Sequence, residues 1–493
     1  MRFRVFIDGK QADEFALSAA YMFGPDMVPL RYVERIEFKK GLIECSRKGS
    51  DSAGLALLWP VKDFGRFLLH TTRLPERDEP YNLNLELARA RLMQITLKRE
   101  DWAIFEEDDT FAQQAHEAHE LFIQALQSIN DPPQASALAD ESLHKGLIFS
   151  EKLASRHAEQ FLSVRLRNRG LSRHSLGCVM DLDRMEDQQY RKGILEMFGF
   201  ITIPVNWAEI ETEKGEYDFS GMDRCIDHIA GKRLAVGAGP LLRFCPEYVP
   251  AWLSRTSGEF EKVREQAYEF VNRIISRYSK YIHIWRVISG INALNCFGFT
   301  FEQVIEMTRT ACLAAKAADH KSRKIVEIIN PWGEYYAEGA STVPPLIYAD
   351  TVLQSGIPFD GFGLQLHFGL DKPGMHLRDM MEISSLLDCF APVNKPLHIT
   401  ALAVPDRSDG AAPDGERAGW WRRQWSPGLQ AEWLEQVYKL ALGRPFITSV
   451  TYSQLADSDK DLIAGSGLLD GQLKPKKAFM TIAKFQKTIL KHL

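Results

Sequence analysis

Two cysteines never stand at Cys-x-x-Cys spacing in this chain, whose seven cysteines are scattered at positions 45, 178, 225, 245, 296, 312 and 389. An odd, dispersed set suggests neither a disulfide framework nor a zinc site. An excess of one charge is also missing: 60 Lys and Arg against 65 Asp and Glu leave a formal charge of -5. That balance offers no net attraction to nucleic acid or to an acidic membrane. The short basic runs Leu166-Arg-Asn-Arg169 and Lys474-Pro-Lys-Lys477 have no stacking aromatics beside them, so they carry no nucleic-acid signature. No Walker or dinucleotide glycine motif occurs. No apolar run reaches the roughly 18 residues needed to cross a bilayer. The opening Met1-Arg-Phe-Arg-Val-Phe-Ile-Asp-Gly9 alternates like an edge strand rather than reading as a secretory signal. Together these absences predict a reduced, cytoplasmic protein with no nucleic-acid or membrane partner, no cofactor and no metal.

What remains is the composition of an ordinary globular protein, 45% hydrophobic and 25% charged over 493 residues. That length predicts two domains and a large core in at least one. Residues 1–106 are rich in short β-type runs, such as Tyr32-Val-Glu-Arg-Ile-Glu-Phe38 and Gly54-Leu-Ala-Leu-Leu-Trp-Pro60, separated by turn residues; they read as a small β-sandwich-like domain whose pattern turns helical from Leu85 to Trp102. Residues 107–170 read as a helical connector. One amphipathic helix there carries Phe111, Ala115, Ala118, Phe122 and Ala125 on one face, Asp131-Pro-Pro133 stops it, and a further helix runs from about Glu141 to Arg167.

From 171 to 493, strand-like runs alternate with helical ones. The runs fall at 176–180, 200–205, 234–238, 282–288, 324–329, 361–365, 396–402 and 445–451. Eight β/α units over about 320 residues meet the requirement of an α/β (β/α)8 TIM barrel, in which function collects on the loops after the strands.

Four segments on those loops resemble glycoside hydrolase family 10, the xylanase-like enzymes. Trp207-Ala-Glu-Ile-Glu-Thr-Glu-Lys-Gly-Glu-Tyr-Asp-Phe219 is similar, without gaps, to the family's Trp-x-x-x-Glu-x-x-x-Gly-x-Phe/Tyr-x-Phe. Pro250-Ala-Trp252 resembles Pro-x-Trp, Gly363-Leu-Gln-Leu-His367 resembles Gly-x-Gln-x-His, and Leu468-Leu-Asp-Gly-Gln-Leu-Lys-Pro-Lys-Lys-Ala-Phe479 resembles the C-terminal family motif. The resemblance implies a sugar-cleaving barrel with two catalytic glutamates, in Trp-Asp-Val-Val-Asn-Glu and Ile-Thr-Glu-Leu-Asp. Here those segments read Trp285-Arg-Val-Ile-Ser-Gly290 and Ile399-Thr-Ala-Leu-Ala403, so Gly290 and Ala401 stand at the glutamate positions. A retaining glycosidase needs two carboxyl groups roughly 5 to 5.5 Å apart, one as acid and one as nucleophile. Neither residue can serve. The family's sugar-binding Glu-Asn-x-x-Lys is replaced by Ile201-Thr-Ile-Pro-Val-Asn206, and Ala238 stands where the family has His.

Gln365 and His367 survive, and the resemblance implies that they point into the cleft. Trp207, Asn206 and Trp332 complete the expected ligand-binding set. Glu334, in the aromatic loop Asn330-Pro-Trp-Gly-Glu-Tyr-Tyr336, and Glu327, within the fifth strand run, are the acids best placed to replace the lost pair. Asp183, Glu186, Asp406, Asp409, Asp414 and Glu416 are further acids on loops, where solvated surface charge is the ordinary outcome. The long loop after the seventh run contains Gly419-Trp-Trp-Arg-Arg-Gln-Trp425, which serves either to stack on a sugar or to fasten the N-terminal domain to the barrel. Three functions follow: a carbohydrate or glycan-like binder without retaining hydrolysis, an active enzyme with relocated acids, or a structural or assembly subunit with a protein partner or a second copy of itself. Fold alone does not choose among them.

Overall fold

The turn Lys40-Gly41 takes positive φ at both residues, 49° and 78°, the left-handed pair that a two-residue hairpin requires. It joins Val33–Lys39 to Leu42–Arg47, with Lys39 opposite Leu42. The computed structural model describes residues 1–102, 109–229, 231–232, 234–255, 259–407 and 415–493. That hairpin, with Arg2–Arg4 and Tyr81–Asn82, makes one four-stranded sheet of the N-terminal region. The second is Tyr21–Phe23, Gly54–Val61, Gly65–His70 and, from far along the chain, Trp420–Trp421. Phe3, Ile43, Leu55, Leu57 and Phe67 are buried within one continuous apolar core.

Three helices follow: α1 (Leu83–Asp101), α2 (Asp109–Gln127) and α3 (Pro132–Arg167). The apolar stripe of α2 is buried as its period predicts, from Phe111 to Ala125. Asp131-Pro-Pro133, expected only to stop one helix, also starts the next about nine residues before the expected Glu141. The Asp131 side chain accepts from the Gln134 backbone N–H, and proline occupies the first turn of α3. That position has no partner for an N–H in any case, so proline there favours the helix.

Eight parallel strands then close a barrel in sequence order: β1 (Leu176–Val179), β2 (Phe200–Ile203), β3 (Ala235–Ala238), β4 (Ile284–Ser289), β5 (Arg323–Ile328), β6 (Gly361–His367), β7 (Leu397–Ala403) and β8 (Ile447–Tyr452), with β8 pairing back to β1. Each expected run holds one strand, and the ends differ by no more than two residues.

The N-terminal region is fastened to the barrel by paired polar groups as well as apolar contact. Arg91 of α1 and Asp379 after β6 form a buried pair with N–O distances of 3.2 and 2.5 Å. Glu151 of α3 accepts from Trp421 Nε1 at 2.5 Å and from Arg422 at 3.0 Å. Trp420 and Trp421 pair with Arg66 and Gly65, so this part of the loop after β7 fastens the domain and leaves Trp421 buried. The Leu68 amide donates to the Leu377 carbonyl, and Arg31 donates to the carbonyls of Tyr336 and Thr342. The N-terminal sheets therefore sit on the loops after β5, β6 and β7, at the C-terminal face where barrel function collects.

Candidate functional site

Strand β5 turns Glu327 into the barrel, where it is fully buried. Arg286 of β4 approaches its Oε1 at 3.0 Å, and Gln365 Nε2 of β6 donates to its Oε2 at 2.9 Å. Burial, the largest single influence, pushes the carboxyl pKa up, but the Arg286 guanidinium, together with the Ser289 and Thr400 hydroxyls and the Arg243 charge, outweighs it and holds Glu327 below the usual range. Arg286 also donates to the Gly239 carbonyl after β3. The inner layer of the mouth is thus an ion pair with an amide clamp. In chemical terms Glu327 is a carboxylate, able to accept a proton or a hydrogen bond but not to supply a proton near neutral pH.

Glu334 is removed from the mouth chemistry in another way. It lies in a short 3-10 turn, Glu334–Ala337, entered through the left-handed Gly333. Its carboxylate takes Arg378 and the Gly374 amide, with His376 Nδ1 at 3.6 Å. Burial raises its pKa, and the Arg378 charge and His376 overcompensate, bringing it down to about 2. The Tyr21 hydroxyl of the N-terminal region feels the same carboxylate. Glu334 is consequently an anchoring anion beneath that region, and the proton-donor role expected for it does not fit its surroundings.

Gly290 and Ala401, which the motif resemblance sets at the glutamate positions, sit on the same face of the barrel. Gly290 follows β4 with φ +63°, and a Cβ built there would lie 2.7 Å from both Cδ1 and Cγ1 of Ile329. Ala401 is buried on β7 opposite Gln365, where the register shifts between Leu364 and Gln365. His367, at the end of β6, pairs through Nε2 with the Ser453 hydroxyl at 3.0 Å. Burial, then the Arg243 charge, draws its pKa down to about 4, so the ring is neutral.

The other expected ligand contacts divide. Trp207 does not line the mouth: its Nε1 donates to Glu211 at 2.7 Å and its ring stacks on Phe270 at 4.7 Å. Its apolar bulk belongs to the core. Asn206 caps the turn Trp207–Ile210, accepting from the Ala208 amide and donating to Glu209. Trp332 is half-buried, with the Arg378 guanidinium 4.0 Å from its ring centre and Phe368 edge-on. Its buried Nε1 has no hydrogen-bond partner among the described residues. Gln365 and His367 lie on the C-terminal half of β6, and Trp332 on the loop after β5. Asp183 pairs with Lys460 at 2.6 Å, Glu186 with His228 at 3.4 Å, and Asp406 with Lys476 at 2.9 Å. Asp409 and Asp414 lie outside the described residues, as does the Glu416 side chain.

Sequence reasoning passed over Arg286, Arg243 and Asp461. Arg286 had one signal in the sequence, a cation next to Trp285 where the motif resemblance implies Asp. Arg243 lies in the loop after β3, five residues beyond its end, and its Nε is buried without a hydrogen bond among the described residues. Asp461, in the loop after β8, accepts from the Ser458 amide at 2.8 Å, and burial raises its pKa to about 6. No group of three or more His, Cys, Asp or Glu able to hold a metal ion occurs among the described residues.

Comparison with known proteins agrees with this geometry at the level of fold. The chain is 26% identical to an endo-1,4-beta-xylanase of Geobacillus stearothermophilus over 258 residues, 47% of this chain and 72% of that protein. It is 23% identical to endo-1,4-beta-xylanase B of Paenibacillus barcinonensis over 309 residues, 56% of this chain and 85% of that one. The crystal structure of xylanase 10B from Thermotoga maritima superposes with a TM-score of 0.51 at 16% identity, covering 66% of this chain and 98% of the xylanase. The sequence profile of glycosyl hydrolase family 10 matches residues 167–485, well over half the chain, and the protein belongs to that family.

Proposed function

We propose that this chain is a family 10 barrel that holds a carbohydrate or glycan-like ligand at its C-terminal mouth without retaining hydrolysis. The observation that carries the reading is Gly290. At the position aligned with the acid/base glutamate there is no side chain, the backbone is left-handed, and Ile329 fills the space a Cβ would need. Ala401, aligned with the nucleophile, offers only a methyl group. Retaining hydrolysis needs one carboxyl to protonate the leaving oxygen and another to form the glycosyl ester. Glu327 and Glu334, both held ionised by arginine, do not supply that proton.

Carbohydrate as the ligand class is supported by the named activity of the relatives and by the polar mouth, where His367, Gln365 and the half-buried Trp332 combine hydrogen-bonding groups with an aromatic surface. A cytoplasmic location is part of the same proposal, supported by seven unpaired cysteines, five of them buried. The test is a titration of the full chain with xylo-oligosaccharides followed by tryptophan fluorescence. Saturable binding is expected, weakened about 3- to 10-fold by His367→Ala, the worth of one neutral hydrogen bond. Absence of saturation with xylo-, cello- and manno-oligosaccharides alike would remove the reading.

A second reading, an enzyme with relocated acids, is favoured by one observation. Asp461 on the rim has a pKa of about 6, the range suited to general acid work. Under that reading Asp461→Asn abolishes a measurable glycosidase activity.

A further inference from the structure

The end of the barrel remote from the mouth holds a cavity of about 710 Å³. Phe200, Ile284 and Arg323, the first residues of β2, β4 and β5, line it, which places it at the N-terminal face. Small-molecule sites are typically about 300–1,000 Å³, so its size suits a compact ligand. Its lining is one-sided in charge. Arg173, Lys232 and Arg323 contribute cations, His174, His283 and His398 contribute imidazoles, and no carboxylate lines it among the described residues. In a chain of net charge -5, this is a local concentration of positive charge rather than a general excess.

The carboxylates of the adjoining loops are engaged elsewhere. Asp319 accepts from the amides of Lys321 and Ser322 at 2.9 and 3.3 Å, and Asp360 accepts from the Lys324 amide at 2.7 Å. The three lining cations form no ion pair among the described residues. Like charges gathered at one opening repel, and a multivalent anion reverses the sign of that interaction.

At the inner end stands His398, only 5% exposed. Its Nδ1 pairs with the Ser449 hydroxyl at 2.8 Å, and its Nε2 has no hydrogen-bond partner among the described residues. Burial, then the Arg323 charge, brings its pKa down to about 4, so the ring is neutral; in the tautomer whose Nδ1 accepts from the Ser449 hydroxyl, Nε2–H is the donor that faces the cavity. Beyond it the space along the barrel axis narrows to about 20 Å³, room for one water and no more. A ligand entering from below would end at His398. Arginine forks match oxyanions in bidentate geometry.

We propose that this basal cavity is a binding site for a small multivalent oxyanion of the diphosphate or phosphate-ester class, held by Arg173, Lys232 and Arg323 at the rim and by His398 at the base. The site is separate from the carbohydrate mouth and does not depend on that reading.

The test is isothermal titration of the full-length protein with inorganic pyrophosphate at low salt and pH 7.5. One saturable site is expected. Arg173→Gln and Arg323→Gln, both at exposed positions, should each weaken it roughly ten-fold, the scale of one charge-assisted hydrogen bond. His398→Gln should weaken it with the melting temperature recorded in parallel. Lys262→Gln, on the helix Phe260–Tyr278 where Lys262 is paired with Glu259, should leave the affinity unchanged. No saturable heat, equal affinity in the double variant Arg173→Gln/Arg323→Gln, or an equal loss in Lys262→Gln would overturn the proposal. So would binding of a single-stranded oligonucleotide with none of pyrophosphate.

Discussion

Gly290→Ala should lower stability by about 1–5 kcal/mol, and the sum can be worked from three local terms. A side chain at φ +63° takes the left-handed region, which costs an L-residue about 1–2 kcal/mol. The added Cβ also meets Ile329 at 2.7 Å, inside any ordinary contact, and Ile329 is itself buried. Overpacking of this kind costs about 1–3 kcal/mol. Against these, alanine restricts the unfolded chain and returns about 0.4–1 kcal/mol. The sign therefore discriminates: a tolerant site gains stability and a strained one loses it. Guanidinium unfolding followed by tryptophan fluorescence should show a lower midpoint with an unchanged slope. An unchanged or higher midpoint would refute the claim that the backbone here excludes a side chain. By the same reasoning Gly290→Glu with Ala401→Glu should not restore xylan cleavage, because a glutamate at 290 enters with this strain already present and misplacement of a catalytic group by about 1 Å can cost a hundred-fold.

Arg286→Met should cost about 3–5 kcal/mol at pH 7, since it leaves the Glu327 charge buried and unpaired, and adding Glu327→Gln should recover most of that loss; a single-variant loss below about 1 kcal/mol would show that the pair is not what holds the mouth. Glu334 has a folded pKa of about 2 against an ordinary 4.5, so its contribution is present above the unfolded value and lost as pH falls from about 4.5 towards 2. The difference is worth about 3 kcal/mol, and Glu334→Gln should flatten the acid limb of the stability curve by that order; an unchanged limb would contradict the Arg378 pairing. A fragment starting at Gly170 should aggregate, because it loses the strand that pairs with Trp420–Trp421 and the helices that cover the barrel side; solubility and melting temperature equal to the full chain would show the interface to be dispensable.

The barrel was legible because parallel strands buried on both faces read as short continuous apolar runs, and eight of these at regular spacing admit few architectures. The stripe of α2 was legible for a similar reason: Phe111, Ala115, Ala118 and Phe122 keep a helical period. What escaped was non-local. Trp420–Trp421 completes a sheet whose other strands end at His70, and no local pattern announces a pairing across some 350 residues. Asp131-Pro-Pro133 reads as a stop or a start, and only the capping bond decides. At the mouth, Gln365 and His367 were placed by resemblance, while Trp207 follows the motif yet packs into the core, because a conserved-looking aromatic carries no direction. Glu327 and Glu334 were visible as acids on the functional face. Their arginine partners lie 41 and 44 residues away in the chain, and it is those partners that fix their ionisation.

Release of reducing sugar from xylan by the purified full chain, with Glu327→Gln measured beside it, tests most directly the proposal that retaining hydrolysis is absent. The account predicts no release above background by either protein. Turnover near the enzyme median of about 10 s⁻¹, abolished by Glu327→Gln, would contradict it.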